Sequence, residues 1–249
     1  MLTIIFLCIA GFLAAFVDSI AGGGGLITVP AFMLTGLPPH MVLGTNKFSA
    51  TAGSFTSSLK FIKSGKANFK LLKYLIPFTL IGSMIGVRTV LFVDPNILKG
   101  LVLILIMFIG IYTLFSKDLG LEDKFQGLTK KNVTYGIILA LALGFYDGFF
   151  GPGTGSFLVF GFINIFGFNF LASSANARIL NFTSGITALV LFAISGKINY
   201  MLGVPVAISM VIGARMGTTV ALNKGSKLIK PIFVTMSLAV AVKMIIDLL

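Results

Sequence analysis

An internal repeat limits the folds open to this chain more than any other feature of its sequence. Four segments recur in the same order, with offsets of 129 to 131 residues between matched positions. The pairs are DSIAGGGG (18–25) with DGFFGPGTG (147–155), GTNKFSAT (44–51) with SANARILNFTS (174–184), SGKANF (64–69) with SGKINY (195–200), and LIGSMIG (80–86) with VIGARMG (211–217). Because the register is kept over roughly 70 residues, we interpret the chain as a duplicated half.

The composition shows whether the two copies fold in water or in a lipid membrane. Hydrophobic residues make up 57% of the 249 residues, and charged residues make up only 10%. Soluble domains contain about a quarter charged residues, so a soluble fold is excluded. A membrane span needs about 20 apolar residues, and a chain of this length therefore holds about eight to ten membrane elements. We predict an all-α integral membrane protein whose main partner is the lipid bilayer.

Each copy contains five predicted apolar elements. Those of the first copy cover 2–19, 26–37, 40–62, 71–92 and 97–115, and those of the second cover 132–149, 155–168, 171–194, 199–222 and 227–248. The second element of each copy follows a Gly-rich run and is too short to span, which predicts a broken span or a re-entrant hairpin. The polar, cytosolic linker 116–131 then separates the first repeat, 1–115, from the second, 132–249, within one membrane domain.

Basic residues predict that the two repeats have opposite orientations. The loop after the third element is lysine-rich in the first copy, whereas the matching loop of the second copy holds only Lys197. The lysines concerned are Lys60, Lys63, Lys66, Lys70 and Lys73, and the next loop of the second copy carries Lys224, Lys227 and Lys230. Since cytosolic loops collect Lys and Arg, we predict inverted repeats in the cytoplasmic membrane. The formal charge of +12 reflects this bias and does not indicate nucleic-acid binding.

The two Gly-rich segments are the first candidates for a binding site. Glycine lets the backbone turn sharply, and the short helix predicted after each segment would direct the positive end of its dipole at a solute. The candidate residues are Gly22, Gly23, Gly24 and Gly25 in the first copy and Gly151, Gly153, Thr154 and Gly155 in the second. The alternative is that the glycines only permit close helix packing. No GxxxxGK motif followed by Ser or Thr occurs, so nothing supports ATP-driven transport.

Charged residues within the apolar elements indicate the charge of the solute. Lys47 and Arg178 lie near the starts of matching elements, and Arg215 lies well inside the ninth. A charge at the bilayer centre costs at least ~2.5–3.5 kcal/mol, so such residues usually face the protein interior. With Asp18 and Asp147 there are three cations against two carboxylates, which favours a small anionic solute.

Neutral and acidic side chains complete this predicted site. The neutral donors are Thr45, Asn46, Asn176 and Asn181, and the carboxylates Asp18 and Asp147 are candidates for coupling transport to an ion such as the proton. The alternative is that the charges only brace the fold, as Asp18–Lys47 and Asp147–Arg178 pairs within each copy.

Metal, cofactor and enzyme functions have little support in the sequence. His40 is the only histidine and Cys8 the only cysteine, so we expect no metal and no cofactor. Tyr146 and Asp147 partly match the YD element of intramembrane aspartyl proteases, but no GxGD motif occurs. We therefore predict that the chain is not an enzyme. If the chain moves an anion, it could do so as a channel instead of as a carrier that binds its solute. The sequence does not predict the oligomeric state.

The run DSIAGGGGLITVPAFMLTGLPPHMVLGTNKFSAT, with its degenerate second copy GFYDGFFGPGTGSF, resembles the sulfite exporter TauE/SafE family, also called the 4-toluene sulfonate uptake permease family. The resemblance covers nearly the whole chain. It implies a secondary transporter of the cytoplasmic membrane that moves small anions, with sulfite, sulfonates and other organosulfur compounds as the substrates of some members. It also implies that the two Gly-rich segments and the Asn-Lys and Asn-Ala-Arg segments form the site.

Overall fold

Helices form the whole framework of the described chain. The structure is a computed structural model that describes residues 2–98, 100–102, 104–105 and 122–224. The helices are α1 (Leu2–Ala21), α2 (Gly25–Met33), α3 (Pro39–Lys63), α4 (Phe69–Phe92), α5 (Lys130–Phe149), α6 (Thr154–Phe166), α7 (Phe170–Ile194) and α8 (Tyr200–Lys224). Residues 95–98, 100–102 and 104–105 are also helical. These ranges contain no strand, which confirms the predicted all-α class.

The eight helices agree closely with eight of the ten predicted elements. Their starts differ from the predicted ones by two residues at most, and their ends by four at most. Side-chain caps account for several starts: Asn68 accepts the Leu71 N–H at 3.1 Å, and Thr129 forms a capping box with Asn132. The predicted element 227–248, most of 97–115 and the linker residues 116–121 lie outside the described residues.

Fewer helices are long and apolar enough to span a membrane than the eight to ten predicted elements. Within the described ranges five qualify, namely α1, α4, α5, α7 and α8. The α2 and α6 helices have 9 and 13 residues, so each is too short to span, as predicted. The α3 helix has 25 residues but buries polar side chains such as Thr45, Ser49 and Ser57. A helix surrounded by protein need not be apolar, which explains why hydropathy alone does not identify α3.

The two copies interleave. The first helix of each copy packs along the fourth helix of the other, so that α1 lies against α8 and α5 lies against α4. Both hydrophobic clusters of the core also draw residues from both copies. One cluster includes Phe32 of the first copy and Phe192 of the second, and the other includes Phe61 and Phe162.

Glycines bring these paired helices into backbone contact. A Cβ added to Gly82 or Gly86 would lie 2.2 Å from the Leu141 oxygen or 2.1 Å from the Phe145 oxygen. The equivalent glycines of the second copy, Gly213 and Gly217, would clash with the oxygens of Phe12 and Phe16 at 2.3 and 2.2 Å. Matched positions of the repeat therefore make matched contacts. We call these two helix contacts the α4–α5 seam and the α1–α8 seam, and no larger residue fits at either glycine position without a shift of the backbone.

Hydrogen bonds between the copies refine the alignment of the third helices. The Asn199 N–H donates to Thr45 Oγ1 at 2.9 Å, and the Asn68 N–H donates to Asn176 Oδ1 at 2.8 Å. Asn68 and Asn199 are 131 positions apart, and so are Thr45 and Asn176. Asn176 therefore has the contacts of Thr45. The third helices of the two copies therefore align with an offset of 131 residues.

Candidate functional site

The two Gly-rich segments lie in contact with each other. Gly22 and Gly151 have positive φ values of 89° and 100°, which glycine adopts without strain. A Cβ on Gly22 would lie 2.4 Å from the Ser156 nitrogen, and one on Gly25 would lie 2.9 Å from Pro152 Cα. Close packing therefore explains part of the glycine content. Several of these glycines also line an adjoining cavity.

This cavity has a volume of about 50 Å³. At ~10–15 Å³ for each water molecule, it has room for about three to five waters or one small ion. Its walls come from both copies: Asp18, Gly24, Gly25, Asn46, Lys47, Ala50, Thr51, Ser54, Asp147, Gly151, Gly153, Gly155, Asn181, Gly185 and Met210. The α2 and α6 helices both begin at this wall, so their N-terminal N–H groups contribute partial positive charge there.

The four charged groups at the cavity form pairs that cross between the copies. Lys47 Nζ lies 2.8 Å from Asp147 Oδ1, and Arg178 Nη1 donates to Asp18 Oδ2. The alternative pairing within each copy, Asp18–Lys47 and Asp147–Arg178, does not form. The physical reason is the interleaving, because each third helix presents its cation to the first helix of the other copy.

Glycine makes room for both cations. A Cβ on Gly151 would lie 2.7 Å from Lys47 Nζ, and one on Gly155 would lie 2.9 Å from Arg178 Nη2. Gly151 and Gly155 line the cavity, so Arg178 lies directly behind a wall that has no side chain. A larger residue at either position would displace the cation.

Several buried polar atoms at the site have no hydrogen-bond partner among the described residues. They are Arg178 Nε and Nη2, Thr51 Oγ1, Ser54 Oγ and Asp147 Oδ2. Buried polar groups are nearly always bonded, so such a concentration indicates a place that a ligand or water occupies. Thr51 and Ser54 follow Lys47 by four and seven residues on α3, so all three share one helix face.

Thr51 and Ser54 were not among the residues selected from the sequence, and neither were Ala50, Gly185 and Met210. The helical spacing from Lys47 was a signal that could have identified Thr51 and Ser54. No sequence signal of this kind points to Met210. It lies on α8, the fourth helix of the second copy, and has no helical spacing from Lys47.

Other selected residues do not line the cavity. They are Gly22, Gly23, Thr45, Thr154, Asn176 and Arg215. Thr154 Oγ1 donates to the Gly151 oxygen at 2.8 Å and so fixes the turn of the second Gly-rich segment. Arg215 is exposed on α8, where its carbonyl accepts a hydrogen bond from Lys60 Nζ. The count of three cations is thereby corrected: two cations and two carboxylates surround the cavity.

The arrangement does not match a catalytic aspartate pair or a metal site. Such a pair shares one proton between two adjacent carboxyls, whereas Asp18 and Asp147 each bond to a different cation. The described part of the chain contains no group of three or more His, Cys, Asp or Glu side chains able to hold a metal ion.

Comparison with known proteins agrees with this membrane architecture. The family model described as Sulfite exporter TauE/SafE matches residues 7–244. The chain belongs to the TauE/SafE family. A probable membrane transporter protein of Haemophilus influenzae is 40% identical over 95% of this chain and 92% of its own length. The probable membrane transporter protein YfcA of Escherichia coli K12 is 40% identical over 94% of this chain and 87% of its own.

A more distant relative extends the comparison. The probable membrane transporter protein ORF9 of a Sinorhizobium species is 36% identical over 97% of this chain and 92% of its own. No solved structure matches. Membership of the TauE/SafE family, together with five apolar helices, identifies the chain as a multi-pass transporter of the cytoplasmic membrane.

Proposed function

We propose that the chain is a secondary transporter that binds a small anion, such as sulfite, a sulfonate or another organosulfur compound, in the cavity between its two copies. The observation that carries this proposal is the set of uncommitted donors there. Arg178 Nε and Nη2 are buried and unbonded within the described residues, and the hydroxyls of Thr51 and Ser54 are free to donate. Lys47 Nζ has three donors and one acceptor partner in Asp147. A solute with several acceptor oxygens bonds to the donors that line the cavity, Lys47, Thr51 and Ser54, while Arg178 adds positive charge from behind the Gly155 wall.

The direction of the helix dipoles also favours a negatively charged solute. Two helices begin at the cavity, and the positive end of a helix dipole attracts an anion. The four side-chain charges balance, so these helix ends and the spare donors favour an anion over a cation. The site candidates Gly22, Gly23, Thr45, Thr154 and Asn176 act, in this proposal, by shaping the wall rather than by touching the solute.

Alternating access is the mechanism we propose. The two copies are inverted repeats, and the Gly-rich segments are the broken or re-entrant elements at their junction. Because the ion pairs cross between the copies, a movement of one copy relative to the other changes the distances at the site directly. Coupling to protons at Asp18 or Asp147 would make transport depend on the pH gradient.

A thermal-shift screen tests the anion assignment. We expect at least one of sulfite, sulfate, thiosulfate, a sulfonate or a carboxylate to raise the melting temperature of the purified protein. Lys47→Ala and Arg178→Ala should remove that increase, since each deletes a donor at the site. Lys63→Ala is the matched control, because Lys63 is an exposed lysine on the same helix as Lys47 and should keep the increase.

Stabilisation by neutral solutes and by no anion would refute the assignment.

Flux in proteoliposomes separates the carrier from the channel: a carrier saturates with substrate, whereas a channel shows single-channel conductance and flux that does not saturate. Indifference of the flux to a pH gradient would exclude proton coupling.

A further inference from the structure

We propose that Asp147, and not Asp18, is the carboxylate that takes up a proton when the transported anion binds Lys47. This inference rests on the proposed function and assigns its coupling residue. The sequence makes Asp18 and Asp147 equivalent, because both occupy the same position of the repeat. Their surroundings in the structure differ in three ways, and each difference favours Asp147.

Both oxygens of Asp18 have partners. Oδ1 accepts the N–H of Gly24 at 3.0 Å, and Oδ2 accepts from Arg178. The first bond places the carboxylate at the N-terminal end of α2, where a negative charge is stabilised. The second partner, arginine, does not lose its proton in proteins. Both Asp18 oxygens are therefore committed to the protein, and the residue acts as a structural cap.

Only one oxygen of Asp147 has a partner. Oδ1 pairs with Lys47, while Oδ2 is buried and has no hydrogen-bond donor among the described residues. The Asp147 side chain is 3% exposed, compared with 23% for Asp18. Among the described residues, Asp147 is therefore the carboxylate that keeps a buried oxygen without a partner, where a proton can bind.

Among the described residues, no other charge near Asp147 replaces Lys47. Asp147 lies on α5, against which α4, α6 and α7 pack. The titratable residues of α4 are exposed: Lys70, Lys73, Tyr74 and Arg88. The α6 helix has none, and the one on α7 is Arg178, which pairs with Asp18. On α5 itself, the Tyr146 hydroxyl donates to the Pro152 oxygen at 2.7 Å.

The charge balance of the cavity then sets the stoichiometry. With both carboxylates ionised, the four side chains sum to zero. A monovalent anion that takes Lys47 from Asp147 adds one negative charge to a buried site. One proton on Asp147 Oδ2 restores neutrality, so each bound anion carries about one proton with it.

Infrared difference spectroscopy of the purified full-length protein tests this without knowledge of the substrate. Addition of ethanesulfonate at mildly acidic pH should produce a carboxylic-acid C=O band in the wild type. Asp147→Asn should remove this band, and the matched variant Asp18→Asn should keep it. Should Asp147→Asn not fold, the Glu variants decide: Asp147→Glu shifts the band and Asp18→Glu does not. A missing band in the wild type, or one that follows Asp18, overturns the assignment.

Proton uptake on binding provides the second readout. Ethanesulfonate is the probe, because its own charge is constant across the neutral range. In weakly buffered detergent solution we expect about one proton taken up per anion bound, and no uptake by Asp147→Asn. Binding without uptake refutes the inference and leaves the anion site intact. Failure of every anion to bind refutes the proposed function, whereas binding without the infrared band refutes only the assignment of Asp147.

Discussion

Two ion pairs join the copies at the residue scale: Lys47–Asp147, which is buried, and Asp18–Arg178, whose carboxylate is 23% exposed. The loss of one member of a buried pair leaves an uncompensated charge, which is much more costly than the loss of both members. The pairs can therefore be identified by measurement, because only true partners show a large coupling energy.

A double-mutant cycle should reveal the Lys47–Asp147 partnership. Lys47→Met is expected to lower the free energy of unfolding by about 3–5 kcal/mol, since Asp147 is left buried without a cation. Adding Asp147→Asn to Lys47→Met should recover most of this loss. Unfolding in detergent, followed by circular dichroism, gives the values. The matched cycle of Lys47 with Asp18 should give a smaller coupling energy, and the reverse order would contradict the crossed pairing.

The sequence predicts these charged residues but not their partners. Lys47, Arg178, Asp18 and Asp147 stand out because charges in apolar elements are rare. The partner of each cation depends on how the third helices of the two copies pack in space. The order of the repeats along the sequence does not contain that information. Arg215 was misplaced for a related reason, since the exposed and buried faces of α8 cannot be distinguished by hydropathy in a membrane.

At the element scale, small residues determine which helices pair. The glycines of LIGSMIG on α4 and VIGARMG on α8 bring backbone against backbone across the two seams. Lipid provides little hydrophobic force between helices, so close packing of this kind is a main source of their association.

Gly86→Ala and Gly217→Ala should destabilise the protein to a similar extent. Each new Cβ would meet a carbonyl oxygen at 2.1 or 2.2 Å, so the helices must move apart. Overpacking of this kind costs about 1–3 kcal/mol. Gly100→Ala is the control, because a Cβ there meets nothing within 4 Å. Thermal unfolding in detergent measures all three variants. Equal stability of Gly86→Ala and Gly100→Ala would show that the α4–α5 seam tolerates a methyl group.

Helix boundaries were predicted well, while helix surroundings were not. Apolar runs ended by Gly, Pro and Asn caps are local signals, and they placed the starts of eight helices within two residues. The position of α3 inside the protein is not local. Its serines and threonines make it too polar to qualify as a span, and only the packing of α7 and α8 around it explains that composition.

On the scale of the whole molecule, neither copy is complete alone. Each has a first helix whose packing partner belongs to the other copy, and each has a carboxylate whose counter-ion does too. The chain is thus one structural unit, although its sequence divides into two.

Separate expression of residues 1–120 and 121–249 tests this interdependence. We expect each fragment alone to aggregate or be degraded, and the two co-expressed fragments to purify together as a folded complex. Gly86→Leu in the first fragment should abolish the complex, while Gly100→Leu should preserve it. Size-exclusion chromatography in detergent reports the outcome. A single fragment that is monodisperse and helical on its own would contradict the interdependence of the copies.

The crossed packing also has a consequence for the origin of such chains. A half-length ancestor would have carried a row of glycines with no backbone against them and a buried carboxylate with no cation. A second molecule of the same protein would have supplied both. Fusion of the two genes would then preserve the interface of a homodimer within one polypeptide, and the cavity would stand where its symmetry axis once passed.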